Sequence, residues 1–149
     1  MAYRSRIVEL TFSLDTSQYA SADLLADTQA LAGVSQSAGQ PVKLQSITIV
    51  DEDDQKQALN VVFLDTNTSL GTENSAPNIS DANARRILGH VAFAAGDYLD
   101  CGGVSVATIR NLNLVLKPAS DATGLYVALV SAGTGTYTAS GLSAKFGFE

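Results

Sequence analysis

Apolar residues recur at every second position in short runs along most of this chain. In Ile7–Leu14 (IVELTFSL), Val8, Leu10, Phe12 and Leu14 fall on one side and Glu9, Thr11 and Ser13 on the other, the period of a half-buried strand. Leu142, Ala144, Phe146 and Phe148 alternate with Ser143, Lys145 and Gly147 in the same way, and Leu112, Leu114 and Leu116 alternate with Asn111, Asn113 and Val115. Each run predicts a strand with one face for a core. Leu125–Val130 (LYVALV) is apolar on both faces, which predicts a central strand covered on its second side by a helix, a loop or another subunit.

The remaining segments fit between these. Leu24–Leu31 has mixed polarity and reads as a short strand or an extended edge, and Gly33–Pro41 is a loop by composition. Val42–Val50 and Ala58–Leu64 are rich in strand formers and flank Asp51-Glu52-Asp53-Asp54-Gln55, so the simplest expectation is a hairpin with a solvated acidic tip. Asp65–Asn78 is a long polar stretch, a length usually tied to function or an interface. Ser80 is a good N-cap and Gly89 a good terminator, predicting one short helix over residues 81–88. Val91–Phe93, Tyr98–Leu99 and Val104–Ile109 complete the strands, with glycine turns such as Gly102-Gly103 and Gly133-Thr134-Gly135 between elements. Strands spaced at about ten residues suggest a mainly β fold, an antiparallel two-sheet β-sandwich of jelly-roll type. No repeat or linker divides the chain, so one domain over residues 1–149 is expected, with residues 1–6 as an N-terminal arm.

Composition narrows the partners. Of 149 residues, 46% are hydrophobic and only 16% charged, so the surface must be built from Ser, Thr, Asn, Gln and small side chains, which favours contact with protein. A net charge of −6 argues against nucleic acid, whose binding depends on clustered Lys and Arg; Arg85-Arg86 is the one adjacent basic pair. Glu9 breaks the first apolar run, which therefore does not read as a signal peptide, and no run approaches the ~20 residues of a membrane helix. These features predict a soluble protein with no membrane partner. The single cysteine, Cys101, excludes an internal disulfide and is expected as a small buried residue of a protein made in a reducing cytoplasm.

Candidate chemistry is sparse. His90 is the only histidine, and nothing in the sequence places a nucleophile beside it. One His and one Cys cannot supply the usual closed zinc set, and the acidic run at Asp51 lacks the glycine and distal glutamate of an EF-hand loop. A hydrolase built on Asp65, Asp81, Asp97 and Asp100 is a remote third possibility, because these positions look like strand ends and caps. No catalytic, metal or cofactor-binding residue is predicted, and no cofactor is expected. For protein contact the candidates are Tyr3, Arg4 and Arg6 in the arm and Arg85 and Arg86 on the helix, residue types that combine contact area with directional hydrogen bonds.

The segments Ala22–Gly33, Leu44–Gly103 and Asn111–Glu149, most recognisably VVFLDTNTSLGTENSAPNISDA and GLYVALVSAGTGTYTASGL, resemble a small family of tailed-bacteriophage and prophage virion proteins. That resemblance implies a jelly-roll capsid cement or head decoration protein. Such a protein binds the outside of the shell, bridges subunits of the major capsid protein, and self-associates as a homo-oligomer, with a trimer favoured. The expected location is the virion exterior after synthesis in the bacterial host cytoplasm. The runner-up is a receptor- or glycan-binding sandwich of a tail fibre or tail tip, using Asp65–Asn78 and Gly133–Gly141 as recognition edges. The absence of Trp and the 7% aromatic content weigh against sugar stacking.

Overall fold

The structure, a computed structural model, describes residues 5–149. Among the described residues ten strands carry the fold: β1 (Arg6–Thr11), β2 (Leu24–Leu31), β3 (Val42–Asp51), β4 (Leu59–Leu64), β5 (Ile87–Phe93), β6 (Tyr98–Asp100), β7 (Ser105–Ile109), β8 (Leu114–Leu116), β9 (Leu125–Ser131) and β10 (Leu142–Phe148). They form a six-stranded sheet, β1-β10-β3-β7-β6 with β8 also on β3, and a four-stranded sheet, β2-β9-β4-β5. Every pairing is antiparallel.

The order has a simple origin. The chain pairs β1 with β10, β2 with β9, β3 with β7 and β8, and β4 with β5, so it is one long antiparallel ribbon folded back on itself. Wrapping that ribbon brings β10 beside β3 and β9 beside β4, which closes the two sheets of a jelly roll. The predicted mainly β, two-sheet jelly roll is the observed architecture.

Period-two alternation sorts the residues onto the two faces. Leu44, Ile47, Ile49, Leu142, Ala144, Phe146 and Phe148 point inward from the large sheet against Val61, Phe63, Val91, Phe93, Val127 and Leu129 from the small one. Phe63 and Phe146 meet edge to face across the layers, centroids 5.7 Å apart at 81°, a geometry worth about 1 kcal/mol beyond burial. β9 is central, as its two apolar faces require. Its outer side belongs to a second cluster, Leu24, Val62, Leu64, Leu70 and Ala128, with Ile79, Tyr126 and Val130 at its margin. The cover is therefore a loop, residues 65–79.

Five expectations change. The segment after β3 is not a hairpin: β3 and β4 lie in different sheets, and residues 52–58 turn a corner between them. Asp51 drives this, because it continues the inward phase of Ile47 and Ile49 and is fully buried. The helix α1 covers only Asp81–Ala84. Ser80 Oγ accepts from Asn83 N–H at 3.2 Å as a cap should, but no residue of α1 is buried, so nothing offsets the entropy of further turns. Ile87 and Gly89 pair instead with Leu64 and Phe63, beginning β5 four residues ahead of the expected Val91. The strand expected from Asn111 starts at Leu114, since Asn111 (φ 59°) and Asn113 (φ 51°) adopt left-handed backbone, which Asn tolerates better than most residues. Finally, Cys101 is exposed, because it sits in the β6–β7 turn outside both layers.

Candidate interaction surface

The two sheets differ in how their outer faces end. The strap of residues 65–79 covers the small sheet over β2, β9 and β4. Asp27 on β2 fastens it: Oδ1 accepts from Leu70 N–H at 2.9 Å and Oδ2 from Ser69 Oγ at 2.6 Å. Thr28 Oγ1 donates to Thr68 O at 2.6 Å, and Leu24 exchanges backbone bonds with Asn74 and Ser75 at 2.9 and 2.8 Å. Asn74 Nδ2 donates to Asp15 Oδ2 at 2.7 Å, the main reason the Asp15 carboxyl lies below its ordinary value. Gly71 makes the strap's sharp bend at φ 136°, where a Cβ would also stand 3.0 Å from Asn78 N.

The large sheet has an open outer face. Cross-strand register places Thr11, Ser143, Val50, Val106 and Leu99 in one row, and Glu9, Lys145, Thr48 and Thr108 in the next. Thr48 and Thr108 share a hydroxyl hydrogen bond of 3.0 Å. Leu99 is 68% exposed, Ile7 71% and Val115 60%, all on this face by their register. Outward positions of a solvated sheet are normally polar, so the Val50–Val106–Leu99 row stands out. A shallow groove of about 310 Å³ lies beside it, lined by Glu9, Thr11, Val50, Glu52, Ser143 and Lys145.

One end of the sandwich is tied by polar groups. The buried Asp51 carboxylate accepts from Asp53 N–H at 3.0 Å and Lys56 N–H at 2.9 Å, with Ser105 Oγ at 3.5 Å. Beyond it, Asp53 Oδ2, Gln55 Oε1 and Gln57 Oε1 accept in turn from the backbone N–H groups of Thr138, Thr136 and Thr134, at 2.8, 3.1 and 3.1 Å. This is a ladder in which side chains replace one strand's carbonyls. Lys56 Nζ lies 2.9 Å from Asp100 Oδ2 and 3.1 Å from Asp54 Oδ1. The Asp100 contact, then Asp54, raises the lysine, and the lysine in turn lowers the Asp100 carboxyl. Asp51, Asp53 and Asp54 are thus consumed by turn, ladder and ion-pair contacts, and only Glu52 of the run stays solvated.

The anticipated contact residues do not converge. Arg6 is the first residue of β1, not part of an arm, and its Nη1 donates to Gly33 O at 2.8 Å. Arg85 caps α1 and Arg86 lies 3.8 Å from Asp65 Oδ2, both exposed and beside the other sheet. Tyr3 and Arg4 lie outside the described residues. His90 is exposed on β5, and among the described residues no hydrogen bond joins it to a serine or to Cys101. Asp97 and Asp100 accept from Ala94 and Gly102 N–H groups, the turn roles expected of them, and Asp81 opens α1. Among the described residues no three His, Cys, Asp or Glu side chains are grouped as a metal site requires. The open face itself was missed. Its signal was Val50 and Val106, out of phase with the inward residues beside them.

No known protein family matches the chain, and no curated protein does. Solved structures that align with it include that of the infectious bursal disease virus Gx strain, at 12% identity over 99% of this chain with a TM-score of 0.23. The VP2 subviral particle of infectious bursal disease virus aligns at 13% identity over 98%, also with a TM-score of 0.23. The chain spans 37% of the length of each. At those scores the fold assignment rests on the strand order itself.

Proposed function

We propose that this chain is a non-enzymatic virion structural protein of a tailed phage, binding the outside of the capsid shell and bridging neighbouring capsid subunits. The observation that carries the reading is the open face of the large sheet, crossed by the aliphatic row Val50–Val106–Leu99, while on the opposite face the strap covers β2, β9 and β4. A surface of that kind suits broad contact with another protein, since contact cores are depleted in charge. The sequence resemblance to phage virion proteins supports the same direction.

The mechanism is linkage. A subunit that binds only the assembled shell lowers that state's free energy by RT ln(1 + [L]/Kd), about 2.7 kcal/mol at a hundredfold excess over Kd. Self-association multiplies the contacts and adds avidity without strong single contacts. Tail-tip recognition has less support, because both loops assigned to it are occupied, residues 65–79 as the strap and Thr134–Thr138 in the side-chain ladder.

The test is quantitative mass spectrometry of purified particles. Shell-like copy number is expected, and Leu99→Asp should strip the protein from particles while leaving its fold intact. Absence from particles, or tail-like copy number, defeats the reading.

A further inference from the structure

Each sheet edge exposes backbone donors and acceptors that invite another strand, and folded proteins block such edges with short strands, charges or covering groups. Three of the edges here carry such devices. β1 is blunted at its end, where Gln29 Nε2 donates to Thr11 O at 3.2 Å and Gln29 Oε1 accepts from Ser13 N–H just beyond at 2.8 Å, and Glu9 adds a charge midway. On β2, the strap takes the edge: Leu24 bonds Asn74 and Ser75, and Asp27 N–H donates to Glu73 Oε1 at 3.1 Å. At the far side of the large sheet, β6 and β8 are three residues each.

β5 has none of these devices. It runs seven residues, ILGHVAF, with no Asp, Glu, Lys, Arg or Pro, and its one bulge, where the register with β4 skips Leu88, leaves Gly89–Phe93 regular. Among the described residues no loop or side chain bonds to its backbone outside its pairing with β4. Ile87, His90 and Ala92 are exposed, so the strand is reachable.

We infer that β5 is a self-association edge, pairing antiparallel with β5 of a second copy about a two-fold axis and joining two four-stranded sheets into one. A ring built head to tail through sheet edges would need a second, different undefended edge, and β1, β2, β6 and β8 each carry a device against pairing. An isologous contact needs only the one. The strand is also compatible with itself. Antiparallel pairing about a two-fold matches residues of the same parity, so Val91 and Phe93 stay on the core side and His90 and Ala92 on the outer side. With no carboxylate, lysine or arginine on either strand, no fixed charge opposes the approach. This contact is independent of shell binding and replaces the threefold association expected from the family resemblance.

The test uses the whole chain in solution. Sedimentation equilibrium should give twice the 15.5 kDa chain mass, and hydrogen exchange should show β5 amides gaining protection as concentration rises. Ala92→Lys, at an exposed outer-face position, should return the protein to monomer and remove that protection; His90→Lys should do the same. Thermal unfolding of each variant at a concentration where the parent is monomeric should match the parent, separating lost contact from lost fold. Leu99→Asp, which probes the shell-binding face, should leave the dimer intact. A monomer at all concentrations, a trimer, or an oligomer whose β5 amides still exchange freely would each overturn the inference. So would β5 protection that appears only on added particles.

Discussion

Replacing Asp51 by Ala tests the corner that joins the two sheets. Its carboxylate is fully buried and accepts from Asp53 and Lys56 N–H groups at 3.0 and 2.9 Å. Alanine leaves both donors without an acceptor, at about 1–3 kcal/mol each for a buried group. Some of this is returned, because the variant no longer holds a charge away from water. Weighing the two, the expected loss is about 2–4 kcal/mol, which for a chain of this size lowers Tm by roughly 4–16 °C. Asp51→Asn keeps one acceptor but points an amide N–H at a donor, so it should lie between alanine and the parent. The neighbouring, exposed Glu52→Ala is the control and should stay within about 0.5 kcal/mol. Urea unfolding measures the difference, with an unchanged slope showing that the cooperative unit is the same. If Asp51→Ala proves as stable as Glu52→Ala, the corner is not held by this carboxylate.

Alkaline stability should be limited by tyrosine. Burial raises Tyr19 to about 12, and it raises Tyr98 and Tyr137 further. Below pH 10 both states keep these protons; above it the unfolded chain releases them while the fold does not, so stability falls as pH rises from 10. Absorbance at 295 nm should then show these phenols ionising together with the loss of far-ultraviolet β signal, and tyrosinate forming well ahead of unfolding would contradict their burial. In the strap, Leu70→Ala should cost about 2 kcal/mol, the lower end for leucine because its cluster is small and peripheral. Hydrogen exchange should quicken at Leu24 and Asn74, and unchanged exchange there would mean the strap is held by its polar bonds alone.

The strands were legible because their chemistry alternates with their geometry, as in Val8-Leu10 against Glu9-Thr11. The two-faced apolar run in β9 also carried its own message, that something must cover it. What covers it was not legible, since the strap attaches through Asp27, Thr28 and Asn74, polar residues that read equally well as loop surface. The corner was misread for a related reason. Asp51 keeps the inward phase of Ile47 and Ile49, but within a run of acids its charge outweighed its phase. The side-chain ladder has a period of two in both partners, Asp53-Gln55-Gln57 and Thr134-Thr136-Thr138, yet no hydrophobic contrast marks it. The arginines were chosen by residue type, which says nothing of direction: Arg6 turns back onto its own chain. Edge status, which singles out β5, is a property of sheet order and is invisible until all strands are placed.

The position of β10 between β1 and β3 governs the order in which the protein can be made. Of the ten strands β1 is made first, but its one ladder partner among the described residues is Leu142–Phe148, so it must wait unpaired while every strand between them is made. Pairing across such a separation is slow to find. A nascent chain stalled anywhere short of residue 142 would therefore hold β1 apart from the rest of the large sheet, a natural substrate for chaperones until β10 is delivered.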